Sequence, residues 1–218
     1  MVKYYRVGLK EGKMFISRRI VTPYVGKTQL VIERAKKMSA IMETHGAKTR
    51  VAQVYAGEGA GDIHLYGFFD TMAAGTKAAN GMLEDNALAT LFDERAKAPG
   101  GDMKGPDIFR NVYGGITGIK KAVIQRAYEM DRRNLKAAVA LLEEVSDIFS
   151  GENIDVNAVV PVFSHKMDVL IVAYFFENFA ALGDGVDRIG MSEAFQSIVE
   201  RSHELGRMFE ARTTILID

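Results

Sequence analysis

Hydrophobic residues recur along this chain with two spacings, one typical of helices and one typical of strands. Between residues 27 and 45 the apolar side chains stand three and four positions apart, which predicts an amphipathic helix. The segment TRVAQVY is rich in β-branched and aromatic residues, which predicts a strand. Read in this way, the first half runs strand, helix, strand, strand, helix, strand, at 15–22, 27–45, 48–56, 62–69, 71–97 and 108–116.

The second half of the chain repeats this pattern 107 positions later. The stretch LYGFFDTMAAG at 65–75 has its counterpart in AYFFENFAALG at 173–183. The register fails only at 98–107, where the first copy holds about seven extra residues. We therefore predict two units, 1–118 with an N-terminal extension at 1–14, and 119–218. Elements of the second unit are predicted at 121–129, 132–150, 154–163, 167–176, 178–204 and 207–217, with GDG at 183–185 breaking the last of its helices.

The order of elements in each copy indicates how the chain packs. A strand–helix–strand–strand–helix–strand unit forms an antiparallel sheet with both helices on one face. The strands at 62–69 and 167–176 are apolar on both faces, so the bare face of each sheet needs a cover. The second sheet of the same chain provides one.

Through this order, the repeat and the YGFFD and YFFEN junctions, the sequence resembles the dimeric α+β barrel superfamily. The resemblance implies an α+β fold class, in which two tandem ferredoxin-like repeats pack their antiparallel sheets into an intramolecular barrel. Proteins of this superfamily include cofactor-independent monooxygenases, isomerases, haem proteins and ligand-responsive regulators. The fold therefore leaves the function open. A homodimer would need a separate outer surface, because one chain can close this barrel.

Composition narrows the classes of partner. Lys and Arg number 28, Asp and Glu number 28, and the formal net charge is +0. This balance argues against partners that are nucleic acids or anionic membranes. The chain contains no Cys, which excludes disulfides and thiolate sites. The first thirty residues contain no apolar run of signal or spanning length, so we expect a cytoplasmic protein.

One polar pair stands out within the predicted strands. His64 and Tyr66 lie two positions apart, so their side chains share one face of the strand. If Ile63 and Leu65 face the helices, this pair faces the barrel interior. An imidazole and a phenol can act as acid, base or hydrogen-bond donor, and we predict them as catalytic residues. The alternative is a buried structural histidine that a neighbour satisfies.

Two arginines occupy corresponding positions in the first strand of each copy. Arg19 and Arg126 lie in mid-strand, and a guanidinium in a mostly buried strand needs an anion, a carbonyl or water. We predict that both bind the substrate by holding an anionic group in the interior. The alternation of the first strand also allows each to extend to a sheet edge.

These features lead to one leading hypothesis and two alternatives. The leading hypothesis is a barrel that binds a small organic molecule between its sheets, as a cofactor-independent monooxygenase or isomerase. No two of the four histidines share a metal-binding spacing, so we expect no metal and no other cofactor. One alternative is a structural or assembly module with a filled core, which an interior lacking a cavity of about 300 Å³ would favour. The other is a haem-binding barrel with a single histidine ligand.

Overall fold

The computed structural model describes residues 14–217, and all but the last residue of the predicted extension at 1–14 lies outside this range. The first half contains three helices and four strands: β1 (Phe15–Pro23), α1 (Thr28–Thr44), β2 (Lys48–Gly57), β3 (Ile63–Phe69), α2 (Met72–Leu83), α3 (Asn86–Lys97) and β4 (Gly101–Gly114). The second half follows the same order: β5 (Ala122–Met130), α4 (Leu135–Ile148), β6 (Asp155–Phe163), β7 (Val169–Phe176), α5 (Phe179–Gly185), α6 (Glu193–Leu205) and β8 (Gly206–Leu216).

The eight strands form one closed antiparallel barrel in the order β1-β3-β2-β8-β5-β7-β6-β4. Within each half the order is the same, with β4-β1-β3-β2 in the first and β8-β5-β7-β6 in the second. Contacts between β2 and β8 and between β4 and β6 join the halves. The predicted fold class is confirmed: two ferredoxin-like units pack their sheets into an α+β barrel within one chain.

The long helices predicted at 71–97 and 178–204 are both interrupted. In the first half, the side chain of Asp85 caps α3 by accepting a hydrogen bond from the Ala87 N–H at 2.7 Å. In the second half, a π-helical turn, Val186–Gly190, separates α5 from α6, and the Ser192 hydroxyl caps α6. The GDG sequence at 183–185 predicted a break in the second of these helices, and α5 ends there; the break at Asp85 in the first helix was not predicted.

Strand β4 begins earlier than predicted. Residues 101–104 pair with the end of β1, although the predicted strand begins only at residue 108. Gly101 lies so close to β1 that an added Cβ would stand 2.4 Å from the Thr22 carbonyl oxygen. Glycine is therefore the residue that this close pairing accepts, and its presence signals a backbone contact rather than a break in the strand.

The core is divided between the two faces of the barrel wall. On the outer face the helices of each half pack against the strands, with Val51, Ile63 and Leu65 buried under α1 in the first half, while α4 of the second half also contacts the end of β4. On the inner face, Ile16, Phe109 and Val159 form a cluster that strands of both halves share. No helix within residues 14–217 is long and apolar enough to cross a membrane.

Candidate functional site

The barrel interior contains a cavity of about 110 Å³ between the two sheets. Apolar side chains from both halves make up most of its wall: Ile16, Phe68, Phe109, Val123, Ile171 and Phe175. Residues of the segment between β4 and β5 also line it, including Ile116 and Lys120. The Lys120 ammonium group is buried and donates to Asn153 O at 2.5 Å and Oδ1 at 2.6 Å, which ties this segment to the chain before β6.

His64 and Tyr66 lie on the inner face of β3, because Ile63 and Leu65 pack against the helices. The His64 Nδ1 and the Tyr66 hydroxyl are 2.9 Å apart. Across the barrel, Gln125 Nε2 of β5 donates to the same hydroxyl at 3.1 Å. Tyr66 lines the cavity, whereas His64 is fully buried behind it. The structure thus brings the predicted pair together and adds Gln125 as a third member.

Positive charge surrounds His64. Burial, followed by the charges of Arg212 and Arg18, holds the pKa of His64 well below its ordinary value. Arg18 forms an ion pair with Asp107 at 2.9 Å and lies over the Phe109 ring at 4.9 Å. Arg212 forms an ion pair with Glu210. The imidazole is therefore neutral at physiological pH, because a proton would place a third cation in a buried site.

The buried Nε2 atom of His64 has no hydrogen-bond partner. This limits which of His64 and Tyr66 can donate the hydrogen bond between them. If Tyr66 donates to Nδ1, the imidazole keeps a buried N–H without an acceptor. If Nδ1–H donates to Tyr66, only a lone pair at Nε2 is unused, and buried N–H groups without an acceptor are the rarer case. This second tautomer gives the phenol oxygen two donors, from His64 and Gln125. The phenol proton is then available to a molecule in the cavity.

Arg19 and Arg126 lie on the opposite face of the barrel wall. The Arg19 guanidinium donates to Met42 Sδ of α1 at 3.8 Å. The Arg126 guanidinium lies over the rings of Tyr174 and Phe195, at 5.7 Å and 5.6 Å. The expectation that both point inward is wrong, because strand alternation places Arg18 and Gln125 on the inner face instead. The structure does not bring Arg19 or Arg126 together with His64 and Tyr66.

The sequence interpretation missed Gln125, Arg18 and the segment before β5. A signal for the first two was present, because positions 18 and 125 correspond in the repeat and both are polar in mid-strand. The remaining polar residues of the wall are Arg50, Asn157 and Thr214. No carboxylate lines this cavity within the described chain. The site therefore offers hydrogen-bond donors to an oxygen atom of a ligand.

The residues of the interior do not fit haem. None of the histidines in the described part of the chain lines the interior cavity. Its volume of about 110 Å³ is also well below the 300–1,000 Å³ or so that larger organic ligands occupy. Residues 14–217 likewise contain no group of three His, Cys, Asp or Glu side chains that could hold a metal ion.

Comparison with known proteins yields solved structures of the same shape. No protein-family model matches the sequence. No curated protein matches it either. A proposed monooxygenase from Lactobacillus acidophilus NCFM superposes with a TM-score of 0.63 at 11% identity, over 94% of each chain. An anthrone oxidase-like protein gives 0.64 at 10% identity, over 95% of this chain and 93% of its own.

A third similar structure is a haem-binding protein from Thermus thermophilus, with a TM-score of 0.55 at 9% identity over 94% of this chain and 92% of its own. Identities this low carry information about the fold alone. Taken with the closed barrel and its paired four-strand units, they show that this chain has the fold of the dimeric α+β barrel proteins, built here from a single polypeptide.

Proposed function

We propose that the barrel interior binds an organic molecule of single-ring size that carries a phenol or enol group, and that Tyr66 stabilises its anion. The observation that carries this proposal is the position of the Tyr66 hydroxyl. Tyr66 lies in the wall of a mainly apolar cavity, and its hydroxyl is bonded to the buried His64 and to Gln125, which lines the same cavity. Such an arrangement leaves one donor directed at a ligand and fixes its direction.

The surroundings of Tyr66 favour a negatively charged oxygen on the ligand. A hydrogen bond to an anion is roughly twice as strong as one between neutral groups, and a water-poor site strengthens it further. Arg18, Arg50 and Lys120 line the same cavity, but Arg18 is paired with Asp107 at 2.9 Å and Lys120 lies 3.7 Å from Asp155, so the proposal relies on the hydroxyl of Tyr66 as the donor. In this proposal Tyr66 is the catalytic residue, and the neutral His64 and Gln125 are positioning residues that hold its hydroxyl.

Anion stabilisation is a step that two reaction classes share. In an isomerase, the anion takes back its proton at a different atom. In a cofactor-independent monooxygenase, the anion itself supplies electrons to O₂. The names of the structural neighbours, a proposed monooxygenase and an anthrone oxidase-like protein, support the second class. Apolar walls around one oriented donor would serve both.

The size of the cavity sets the size of the ligand. An apolar cavity of about 150 Å³ holds a benzene molecule, whereas drug-sized ligands need about 300 Å³ or more. The interior, at about 110 Å³, is nearer to the first of these values. An interior smaller than about 300 Å³ is what the filled-core alternative predicts, so that alternative is the competing hypothesis; the three hydrogen-bonding side chains that meet beside the cavity are the observation that favours a ligand.

The proposal can be tested with 4-fluorophenol, whose ¹⁹F resonance reports both binding and ionisation. We expect saturable binding to the unmodified protein, and ionisation of the bound phenol at a lower pH than in free solution. Tyr66→Phe should weaken binding of the anion by about 10-fold or more, because one charge-assisted hydrogen bond is lost. Ala173→Leu, which adds bulk to the cavity wall, should abolish binding.

Tyr55→Phe is the matched control, since Tyr55 is exposed on the barrel surface and should leave the titration unchanged. Two results would contradict the proposal. One is the absence of any ¹⁹F change with the unmodified protein. The other is equal binding by the unmodified protein and by a folded Ala173→Leu variant, which would place the probe outside the interior.

A further inference from the structure

A larger cavity lies on the opposite face of the wall, between the first sheet and helices α1 and α3. Its volume is about 340 Å³, and it is lined by apolar residues such as Val31 and Leu91 and by three arginines, Arg19, Arg34 and Arg95. It is about three times the size of the interior cavity and shares no residue with it. An inference about this cavity is therefore independent of the function proposed for the interior.

The corresponding space in the second half is almost filled. A cavity of about 40 Å³ lies there between the sheet and helices α4 and α6. Several of its lining residues are bulkier than the residues 107 positions earlier: Tyr128 for Val21, Leu142 for Ala35, Tyr174 for Gly67 and Phe195 for Leu88. Val21 and Ala35 line the larger cavity and are smaller than Tyr128 and Leu142, so they account for part of the difference in volume.

The two halves also differ in charge at this place. Arg34 corresponds to Leu141, and Arg95 corresponds to Ser202. Arg19 has an arginine counterpart, Arg126, but aromatic rings cover that residue in the second half. The first half therefore combines an open cavity with two additional positive charges. Open volume alone would indicate loose packing, whereas volume with added charge indicates a ligand.

None of the three arginines has a carboxylate partner within the described chain. Arg19 and Arg95 donate to thioether sulfurs, of Met42 at 3.8 Å and Met103 at 3.4 Å, and thioethers are weak acceptors. Arg34 donates to the carbonyl oxygens of Ala98 and Glu94 at 2.6 Å and 2.8 Å. Its Nε is buried without a partner.

The surrounding side chains do not supply the missing anion. Glu94 is the carboxylate near Arg34, and Lys37 already binds it at 2.8 Å. No Asp or Glu side chain is among the described residues that line the cavity. Guanidinium groups pair most favourably with planar anions such as carboxylates, through parallel hydrogen bonds.

We propose that this cavity binds an amphiphilic carboxylate, with its anionic head at the arginines and its apolar body between the sheet and the two helices. The apolar walls favour burial of the body by about 25 cal/mol per Å² of surface removed from water. The carboxylate would accept hydrogen bonds from the guanidinium groups of Arg19 and Arg95, which now face thioethers, and from Arg34 Nε, which has no partner.

Calorimetric titration with octanoate tests the proposal. We expect saturable binding at one site per chain. Neutral 1-octanol should bind at least about 10-fold more weakly, because it offers no charge to the arginines. Octyl phosphate distinguishes head groups: tighter binding of the phosphate than of octanoate would overturn the carboxylate assignment. Equal affinity for octanol and octanoate, or no binding of octanoate, would overturn the anionic site.

Variants that copy the second half locate the binding. Arg95→Ser should weaken octanoate binding by about 10-fold, as expected for one charge-assisted hydrogen bond. Val21→Tyr with Ala35→Leu should abolish it by filling the cavity, and Ala35→Leu alone serves if the double variant does not fold. Arg133→Ser, an exposed arginine of the second half, is the control and should bind normally. Unchanged affinity in both the folded filled variant and Arg95→Ser would contradict the proposal.

Discussion

The two halves of this barrel share a strand order and a register but differ in how they pack beneath their helices. In the second half, Phe149, Tyr174 and Phe195 form a cluster of three rings with centroids 5.7–6.1 Å apart. In the first half, the equivalent positions hold Met42, Gly67 and Leu88. A Cβ on Gly67 would stand 2.3 Å from the Met42 Cε, so methionine occupies space that a ring takes in the second half.

This difference shows that one architecture tolerates two solutions to the same packing problem. Rings in the second half bury a large apolar area and cover Arg126, which favours stability. In the first half, the corresponding side chains are smaller or more flexible. They fill the space beneath the helices less completely and leave a cavity beside Arg19. We infer that packing in the second half contributes more to stability, whereas the space beneath the helices of the first half is the one left open to a ligand.

The largest effect is expected from truncating the rings. Phe195→Ala should lower the free energy of unfolding by about 4 kcal/mol, since it removes a buried ring and leaves a cavity. Leu88→Ala, at the corresponding position of the first half, should cost about 2 kcal/mol, because it removes a smaller buried side chain that belongs to no ring cluster. Urea unfolding of the two variants measures both values. Equal losses would contradict the contrast between the halves.

A second effect concerns His64, whose counterpart is Ile171. The folded protein resists protonation of His64, whereas the unfolded chain binds this proton near pH 6.5. Lowering the pH below about 6.5 therefore favours the unfolded state, because the unfolded chain binds the proton more readily. The contribution of His64 to stability is fully present only above that pH. The free energy of unfolding should fall by about 1.4 kcal/mol per pH unit from this one group.

His64→Ile should remove this component, so the difference in stability between the variant and the unmodified protein should change with pH between about 6.5 and 5. His203→Gln, at an exposed position, is the control and should keep the original slope. A His64→Ile variant with the same pH dependence as the unmodified protein would show that His64 titrates normally when folded.

The smallest expected effect compares the two corresponding arginines. Arg126→Met should cost about 1 kcal/mol, because it removes a cation from above two rings. Arg19→Met should be neutral or slightly stabilising, since burial lowers the pKa of Arg19 and a thioether is its acceptor. Urea unfolding again measures both. A loss of stability in Arg19→Met as large as that in Arg126→Met would show that Arg19 already has favourable partners in the first half.

The pattern of the sequence was sufficient for much of the fold and for part of the candidate site. Side-chain alternation placed His64 and Tyr66 on the inner face, because Ile63 and Leu65 could be assigned to the helices. The same rule could not assign Arg19, since β1 carries arginine at two successive positions and either row could face inward. Only the pairing of β1 with its neighbours, including an irregularity between Arg18 and Ile20, fixes the choice.

Other features depend on contacts between distant parts of the chain. The bond from Gln125 to Tyr66 joins residues on strands from different halves, which meet only when the barrel closes. The volume beneath α1 and α3 likewise depends on how side chains such as Val21, Ala35 and Leu91 pack around it, and sequence alone reports side-chain sizes without their positions.

The sequence by itself determined the order of elements, the repeat and the existence of two sheets that must cover each other. Those properties follow from local spacing, because each residue's face is set by its neighbours along the strand or helix. The tertiary structure decided which arginines face the interior, which polar groups meet there and how much space each face leaves. The volume of a cavity is the small difference between the space that the elements enclose and the volume of the side chains that fill it. That difference is fixed only when every side chain has its neighbours.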